Sequence, residues 1–422
     1  MSAAARPTAA VIGAGVSGLT TAHVLNRTHQ VTVYEADTRV GGHAHTHDVP
    51  AADGRALRID SGFIVHNEHT YPHLLRLFRE LDVSTQATEM SMSITCDACG
   101  LSYAGGRGLR GLLAQPSRLA DPRFLRMLAD VRRFHRAARA LLDDADATDP
   151  TWGEFLAEGR FSDFFVQHLA LPLVSCVWSS GDVDSVEYPA RHLFRFLDHH
   201  GMLTVTGSPS WRTVTGGSAT YVDRLVARLP DLRRATAVTS VVRHDDGVEV
   251  RTAAGEVTTY DRVVIATHAD QALDLLADAT PEEKQDLGAI RYSVNQTWLH
   301  RDASVLPERW NARSSWNYRM RCDTPADGVL VSYWMNRLHG LDDKDDHVVT
   351  LNAVDRVDSA AITARMTYAH PVFTHDAVAA ADRLRTAGGA RLAFAGAYLG
   401  WGFHEDGCRS GVEAAESFGV CW

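Results

Sequence analysis

The hydrophobic period switches repeatedly near the start of the chain. A short apolar run ends in Val11 and Ile12 and reads as a strand. Leu19, Ala22 and Leu25 then recur at helical spacing, and His29 and Gln30 close that helix. Val31, Val33 and Tyr34 read as a second strand that ends in Glu35. Residues 57–63 (LRIDSGF) follow as strand and turn. Tyr71 to Leu81 reads as a helix carrying Leu74, Leu75, Leu77, Phe78 and Leu81. Ser91 to Tyr103 reads as two short strands joined at Cys96-Asp97-Ala98-Cys99. Pro116 to Leu142 has a helical period, and the aromatic-rich stretch from Trp152 to His200 is expected to be helical. Residues 237–242 and 247–252 alternate as strands do. Arg262 to His268 is a continuous apolar run, expected in a buried parallel strand. A last strand, Arg391 to Ala397, precedes a helix from about Cys408 to Phe418.

Glycines give the first strand–helix–strand unit its chemistry. Gly13, Gly15 and Gly18 form G-x-G-x-x-G between strand and helix. Gly13 permits the sharp turn, Gly15 lets a pyrophosphate approach the backbone, and Gly18 lets the helix pack close to the sheet. Val16 and Ser17 open the helix, whose free N–H groups and positive dipole end suit phosphates. Glu35, followed by Ala36, can accept hydrogen bonds from ribose hydroxyls. The glycine pattern alone specifies little. With strand, helix, second strand and terminal acid in register it specifies a dinucleotide site. A second such pattern in GGRGLRG (105–111) lacks a following strand that ends in an acid, so it is read as a turn.

Further motifs narrow the nucleotide. Arg39, Gly41, Gly42 and His43 form R-x-G-G-H, and Asp60, Ser61, Gly62 and Phe63 follow. With the glycine turn and Glu35 they resemble the flavin-containing amine oxidoreductase superfamily, which includes phytoene-desaturase-like enzymes. GGHAHT, DSGFIVHNEHTYP, PSWRTVTGGSATYV, THADQAL, YWMNRL and GWGFHEDGCRSG resemble one bacterial branch of it. That branch comprises predicted FAD-binding oxidoreductases associated with fatty-acid modification. The resemblance implies FAD and an α/β fold. Its Rossmann-type, glutathione-reductase-like FAD-binding domain carries an inserted α+β substrate domain of mixed sheet plus helices. It assigns 1–90, 205–290 and 390–422 to the FAD-binding domain, and 91–204 and 291–389 to the substrate-binding domain. It also implies cofactor contacts at Val238, Ala266, Thr267, Gly396, Ala397, Gly402, Phe403, His404, Glu405, Asp406 and Gly407.

Composition bounds the remaining readings. The 422 residues are 45% hydrophobic and carry a formal charge of −10, which argues against general nucleic-acid binding. Six sparse cysteines fit a reducing compartment. The first ten residues lack the apolar core of a signal peptide, and no apolar run is long enough to span a bilayer. A cytoplasmic location is expected, with peripheral membrane contact as the variant. Arg107 to Arg139 holds nine arginines against two aspartates. This run either docks on anionic lipid or an acyl carrier, or is a solvated helix face beside the acidic segment 143–149; the second is the simpler reading. Cys96 and Cys99 could be a redox pair or half a zinc site, but no second C-x-x-C follows. They are read as part of a hairpin, and no metal is expected. His43, His45 and His47 alternate along an extended segment and are read as cofactor or substrate contacts.

Two departures from the superfamily pattern bear on chemistry. Many relatives hold a water near the flavin with a lysine, yet the chain has only Lys284 and Lys344, neither in a matching segment. Many also carry Gly-x-Glu/Asp after the final strand, where Gly396-Ala397-Tyr398 stands here. The acid/base candidates are His404 and Glu405, with Tyr398 and Trp401 as aromatic walls; Asp406 is a natural helix N-cap. The expected function is FAD-dependent hydride transfer to or from a hydrophobic small molecule, a fatty-acyl chain or related lipid, as desaturase, saturase or isomerase. The alternatives are an amine or amino-acid oxidase, and a non-catalytic flavoprotein partner in a complex.

Overall fold

The computed structural model describes residues 6–204, 209–324, 329–353 and 355–422. The expected domain boundary at residue 205 lies outside them. Five parallel strands form one sheet in the order Asp231–Arg233, Gln30–Tyr34, Thr8–Ile12, Arg262–Ile265, Leu392–Phe394. Thr8–Ile12 and Arg262–Ile265 are almost wholly buried, as their continuous apolar runs require. The chain leaves Thr8–Ile12 toward one side of the sheet and later fills the other side. The crevice beyond Ile12 and Ile265 is therefore a topological switch point, where open α/β sheets bind ligands.

Helix Val16–Leu25 covers one face of this sheet, and helix His404–Ser417 packs on it. Absent side chains make the approach possible. A Cβ on Gly18 would lie 1.9 Å from the Gly13 carbonyl oxygen, and one on Gly411 would lie 2.4 Å from the Ser17 carbonyl oxygen. The first helix ends at Leu25 rather than at His29, because Gln30 must already pair with Thr8. The last helix starts at His404, earlier than the sequence period shows, so its first turn includes the polar residues His404, Glu405 and Asp406.

The second sheet has seven strands: Ile362–Val372, Arg291–His300, Val348–Leu351, Val331–Trp334, Trp316–Met320, Met92–Cys96, Ser102–Gly105. It is mixed. Trp316–Met320 runs parallel to Met92–Cys96, and the other pairs are antiparallel. Helices Pro122–Asp143, Trp152–Glu158 and Ala190–His199 cluster beside it around Phe134, Trp152, Phe155 and Phe194. The helix expected over Pro116–Leu142 is broken at Asp121, which accepts from the Arg123 N–H at 3.0 Å and caps the long helix with Pro122 in its first turn. Helix His375–Leu384 lies within 291–389, yet it buries Ala377, Ala381 and Leu384 in one core with Val263, Ile265 and Phe394. The Cys96–Cys99 turn, read as free of metal, lies against Cys322 and His168, two partners that a search for a second C-x-x-C does not find.

Gly411→Ala pushes a methyl group into backbone. It is expected to lower stability by about 1–3 kcal/mol, read as a shift in denaturant midpoint, with the fold retained.

Candidate active site

A cavity of about 640 Å³ opens at the switch point and runs from Glu35 and Val238 to Trp316 and Leu351. At its first end the helix Val16–Leu25 begins with Gly15 as N-cap and no capping side chain, so its first N–H groups are free for an anion. A Cβ on Gly15 would meet nothing within 4 Å, so the turn is open to a ligand. The Glu35 carboxylate accepts from the N–H of Ala14 and of Asp37, both at 2.9 Å, which fixes it at the strand end. The Arg39 guanidinium donates to the carbonyls of Val40, Gly42 and Ala44 at 3.1, 2.8 and 3.4 Å, bracing the Gly41–Gly42 turn.

Most of the residues singled out in the sequence line this cavity. Gly13, Gly15, Val16, Ser17, Glu35, Ala36, Gly42, His43, Ser61, Gly62, Phe63, Val238, Ala266 and Thr267 do so, as do Gly396, Ala397, Tyr398, Gly402, Phe403 and His404. Gly18, Arg39, Gly41, Asp60 and Gly407 do not line it, and Trp401, Glu405 and Asp406 line a separate smaller pocket instead.

Three of these carry corrections. Glu405 is not a cavity acid: its carboxylate caps helix Pro72–Glu80, accepting from the N–H of His73 and Leu74 at 3.0 and 2.9 Å and meeting His73 Nδ1 at 2.7 Å. Trp401 is not a cavity wall: its indole donates to the His192 carbonyl at 3.3 Å, and its own carbonyl accepts from the Trp178 indole at 2.9 Å. Asp406 sits one turn inside the last helix and accepts from the Phe403 N–H at 3.1 Å, so Phe403 is the N-cap position. Burial pushes the Asp406 carboxyl up to about 6, against the pull of Arg409. Asp60 is buried and accepts from Thr46 Oγ1 at 2.6 Å and from the Ser218 N–H and hydroxyl at 2.9 and 2.7 Å, locking one strand to the Gly216–Gly217 turn. A Cβ on Gly407 would lie 2.6 Å from a Val16 methyl, so that glycine brings the last helix onto the first.

Neutral histidines gather at the inner part of the cavity. His404 lies flat on Phe63, ring centroids 3.8 Å apart, and its Nε2 meets the Tyr221 hydroxyl at 2.6 Å. His43 packs on Tyr368 and His370 at 4.8 and 5.4 Å. Burial, reinforced by neighbouring histidines, pushes His404 down to about 3, His370 to about 4 and His43 well below the ordinary value. The Tyr368 hydroxyl meets Ser61 Oγ at 2.7 Å and His45 Nδ1 at 3.0 Å, and Ser61 Oγ meets His47 Nε2 at 2.8 Å. His43 and His45 thus meet at Tyr368, with His47 one link further away through Ser61. Sequence reading missed Tyr221, Tyr368 and His370. Tyr368 and His370 alternate on strand Ile362–Val372 and so share a face, but nothing local ties that face to the cavity. Among the described residues, His43 Nε2 and the Tyr398 hydroxyl are buried without a hydrogen-bond partner. Cavity-lining polar atoms in that condition fit a polar cofactor.

A parallel sheet with its glycine turn at the switch point, opening into a long cavity that reaches the second sheet, has the form of a nucleotide-binding fold. The chain belongs to the flavin containing amine oxidoreductase family, whose profile matches residues 16–417. It is an FAD-dependent oxidoreductase. Three solved structures share the fold. The CLA-producing fatty acid isomerase from P. acnes is 17% identical with a TM-score of 0.68, over 96% of this chain and 97% of that one. Cyclohexylamine oxidase from Brevibacterium oxydans IH-35A is 17% identical with a TM-score of 0.71, over 98% of each chain. Putrescine oxidase bound to putrescine is 14% identical with a TM-score of 0.68, over 97% of this chain and 98% of that one. No curated protein matches the chain. Among the described residues no helix is long and apolar enough to cross a membrane.

Two predictions follow from the buried charges. The depressed histidines stay neutral in the fold but take up protons in the unfolded chain below pH 6.5. Stability is therefore expected to fall as pH drops from 6.5 toward about 4, with uptake of more than one proton on unfolding at pH 5, measured by denaturation at several pH values. Glu405→Gln is expected to lower stability by about 1 kcal/mol through the weakened cap, while flavin content and turnover remain; a collapse of turnover at normal stability would return Glu405 to the chemistry.

Proposed function

We propose that this FAD oxidoreductase acts on an uncharged, apolar substrate, a fatty-acyl chain or related lipid, as desaturase, saturase or isomerase. One observation carries the reading. The inner cavity is walled by Met90, Trp178, Phe196, Met202, Trp211, Trp316 and Leu351, and among the described residues no lysine or arginine lines any of it. The two carboxylates that do, Glu35 and Asp274, sit at the other end. The Thr236 N–H donates to the Glu35 carbonyl at 2.8 Å, and the helix of Asp274 leads into Leu276, which bridges Val241. An ammonium or carboxylate substrate would lose its water with no opposite charge to replace it, at a cost of several kcal/mol. Amine oxidation, the activity named for two of the fold neighbours, is the weaker reading for that reason.

In this reading the N–H groups of Val16 and Ser17 hold the pyrophosphate, and Glu35 holds the ribose. Val238 borders the adenine, and Gly42–His43, Ser61–Phe63, Gly396–Ala397 and Gly402–His404 surround the flavin. When bound, FAD supplies two-electron oxidation and reduction at carbon. The protein excludes water with its aromatic wall and orients the apolar chain. His404, kept neutral and held by Tyr221, presents an uncharged imidazole at the start of the last helix. The Tyr368 hydroxyl is hydrogen-bonded to Ser61 and to His45 Nδ1, and Ser61 to His47, along contacts of 3.0 Å or less; burial keeps the phenol protonated and both imidazoles neutral, so the string holds a neutral hydroxyl in place at the cavity. Delivery from a lipid surface suits Leu109, Leu119 and Leu125, exposed among the arginines of 107–139. In that run Arg107, Arg118, Arg123, Arg133 and Arg139 already have partners within the protein.

The test is incubation of the holoenzyme with uncharged acyl esters of defined unsaturation (methyl esters or triacylglycerol), with and without reductant, followed by chromatography of the acyl chains. A change in number or position of double bonds is expected. Flavin reduction by primary amines with peroxide release, and unchanged acyl chains, would overturn the proposal. Tyr368→Phe is expected to slow turnover about 100-fold with little change in substrate binding.

A further inference from the structure

Outside the cavity, three cysteines and a histidine from three separate parts of the chain meet at one point. Cys96 and Cys99 flank the hairpin turn between Met92–Cys96 and Ser102–Gly105. Cys322 follows the end of Trp316–Met320, and His168 lies in the π-helical turn Val166–Ala170. Their ligand atoms all lie within 4.8 Å of one another, and Cys99 Sγ is 3.3 Å from His168 Nε2. Tetrahedral zinc, with Zn–S of about 2.3 Å and Zn–N of about 2.0 Å, sets such atoms about 3.5–3.8 Å apart. A contraction of about 1 Å or less converts the cluster into that geometry. We propose that Cys96, Cys99, Cys322 and His168 bind a structural zinc ion as a Cys₃His site.

The surroundings are built for it. His168 Nδ1 lies 3.1 Å from the Phe164 carbonyl oxygen, a position for donating its proton there, which leaves Nε2 with a lone pair turned to the sulfurs. The Tyr103 hydroxyl donates to the His168 carbonyl at 2.8 Å and fixes the turn. Three thiolates around Zn²⁺ leave one negative charge. Arg118 donates to the Cys99 carbonyl at 2.7 Å and places a positive charge beside the cluster. The one parallel pair of the second sheet explains the meeting. Met320 is registered opposite Cys96, so both strands end at the same edge and Cys322 continues beside the hairpin turn. Four closed protein ligands with no open position make the site structural rather than catalytic. Its role is at a distance. The turn holding His168 runs straight into helix Leu171–Trp178, whose Cys176, Val177 and Trp178 line the cavity. The ion pins the far end of that wall.

The test uses the full chain with its flavin, expressed with added zinc. Elemental analysis is expected to find one zinc per chain, and cobalt in its place to give the visible bands of a tetrahedral thiolate site. Cys322→Ser and His168→Gln are expected to lose the metal, and Cys421→Ser, at an exposed cysteine outside the cluster, to keep it. If those variants do not fold, titration of the native protein with a mercurial is expected to release zinc to a coloured chelator as the thiols react. Flavin-loaded protein that takes up neither zinc nor cobalt, or a disulfide joining two of these cysteines in the native protein, would overturn the proposal. Neither result depends on which substrate the flavin site accepts.

Discussion

The contact on which the whole arrangement depends is backbone against backbone, between the first helix and the last. Gly411 lets helix His404–Ser417 settle onto the Ser17 carbonyl, and Gly407 lets it settle onto Val16. The start of the chain supplies a helix N-terminus for phosphates, and the end supplies the segment 402–404 at the inner cavity. Those two pieces are separated by nearly the full sequence. Only the removal of side chains at their interface brings them close enough to face one ligand. Trp178 donates to the Trp401 carbonyl and His73 is bonded to Glu405, so helices Leu171–Trp178 and Pro72–Glu80 are both tied to the start of the last helix. The last helix is thus the joint between the nucleotide-binding sheet and both walls of the cavity.

Desolvation is the second controlling term. His43, His370 and His404 sit close to one another, and a charge on one would oppose a charge on the next. Burial already disfavours ionisation of each, so all remain neutral and serve as hydrogen-bonding and stacking surfaces. Coulomb repulsion among them adds to burial rather than competing with it. The same low polarity makes the inner cavity a poor host for a charged substrate.

The parts of the fold visible in the sequence were those encoded locally. The βαβ unit, helix Pro72–Glu80 and the apolar strand Arg262–Ile265 each rest on neighbours in the chain. Most residues that line the outer end of the cavity are legible for the same reason, since a glycine turn and the acid after it form one continuous motif. Errors arose where a polar residue found a partner far away. Glu405 reads as a cavity acid until helix Pro72–Glu80 places its N-terminus against it. Trp401 reads as a wall until His192 and Trp178 take its polar atoms. Tyr221, Tyr368 and His370 gave no local signal, because their roles come from strand register and helix packing.

Strand direction is the least legible of these features, and it matters most for the cysteine pair. In an antiparallel arrangement the segment after Met320 would leave from the opposite edge, and Cys96 and Cys99 would remain a hairpin turn with two thiols. The single parallel pairing of Trp316–Met320 with Met92–Cys96 brings a third thiol to that edge. The π-helical turn, one residue wider than an α-helical turn, presents His168 there before the chain resumes as helix Leu171–Trp178. Direction of pairing and the extra residue in the turn are both set by long-range packing. A motif search along the sequence finds half a site, and the sheet topology completes it.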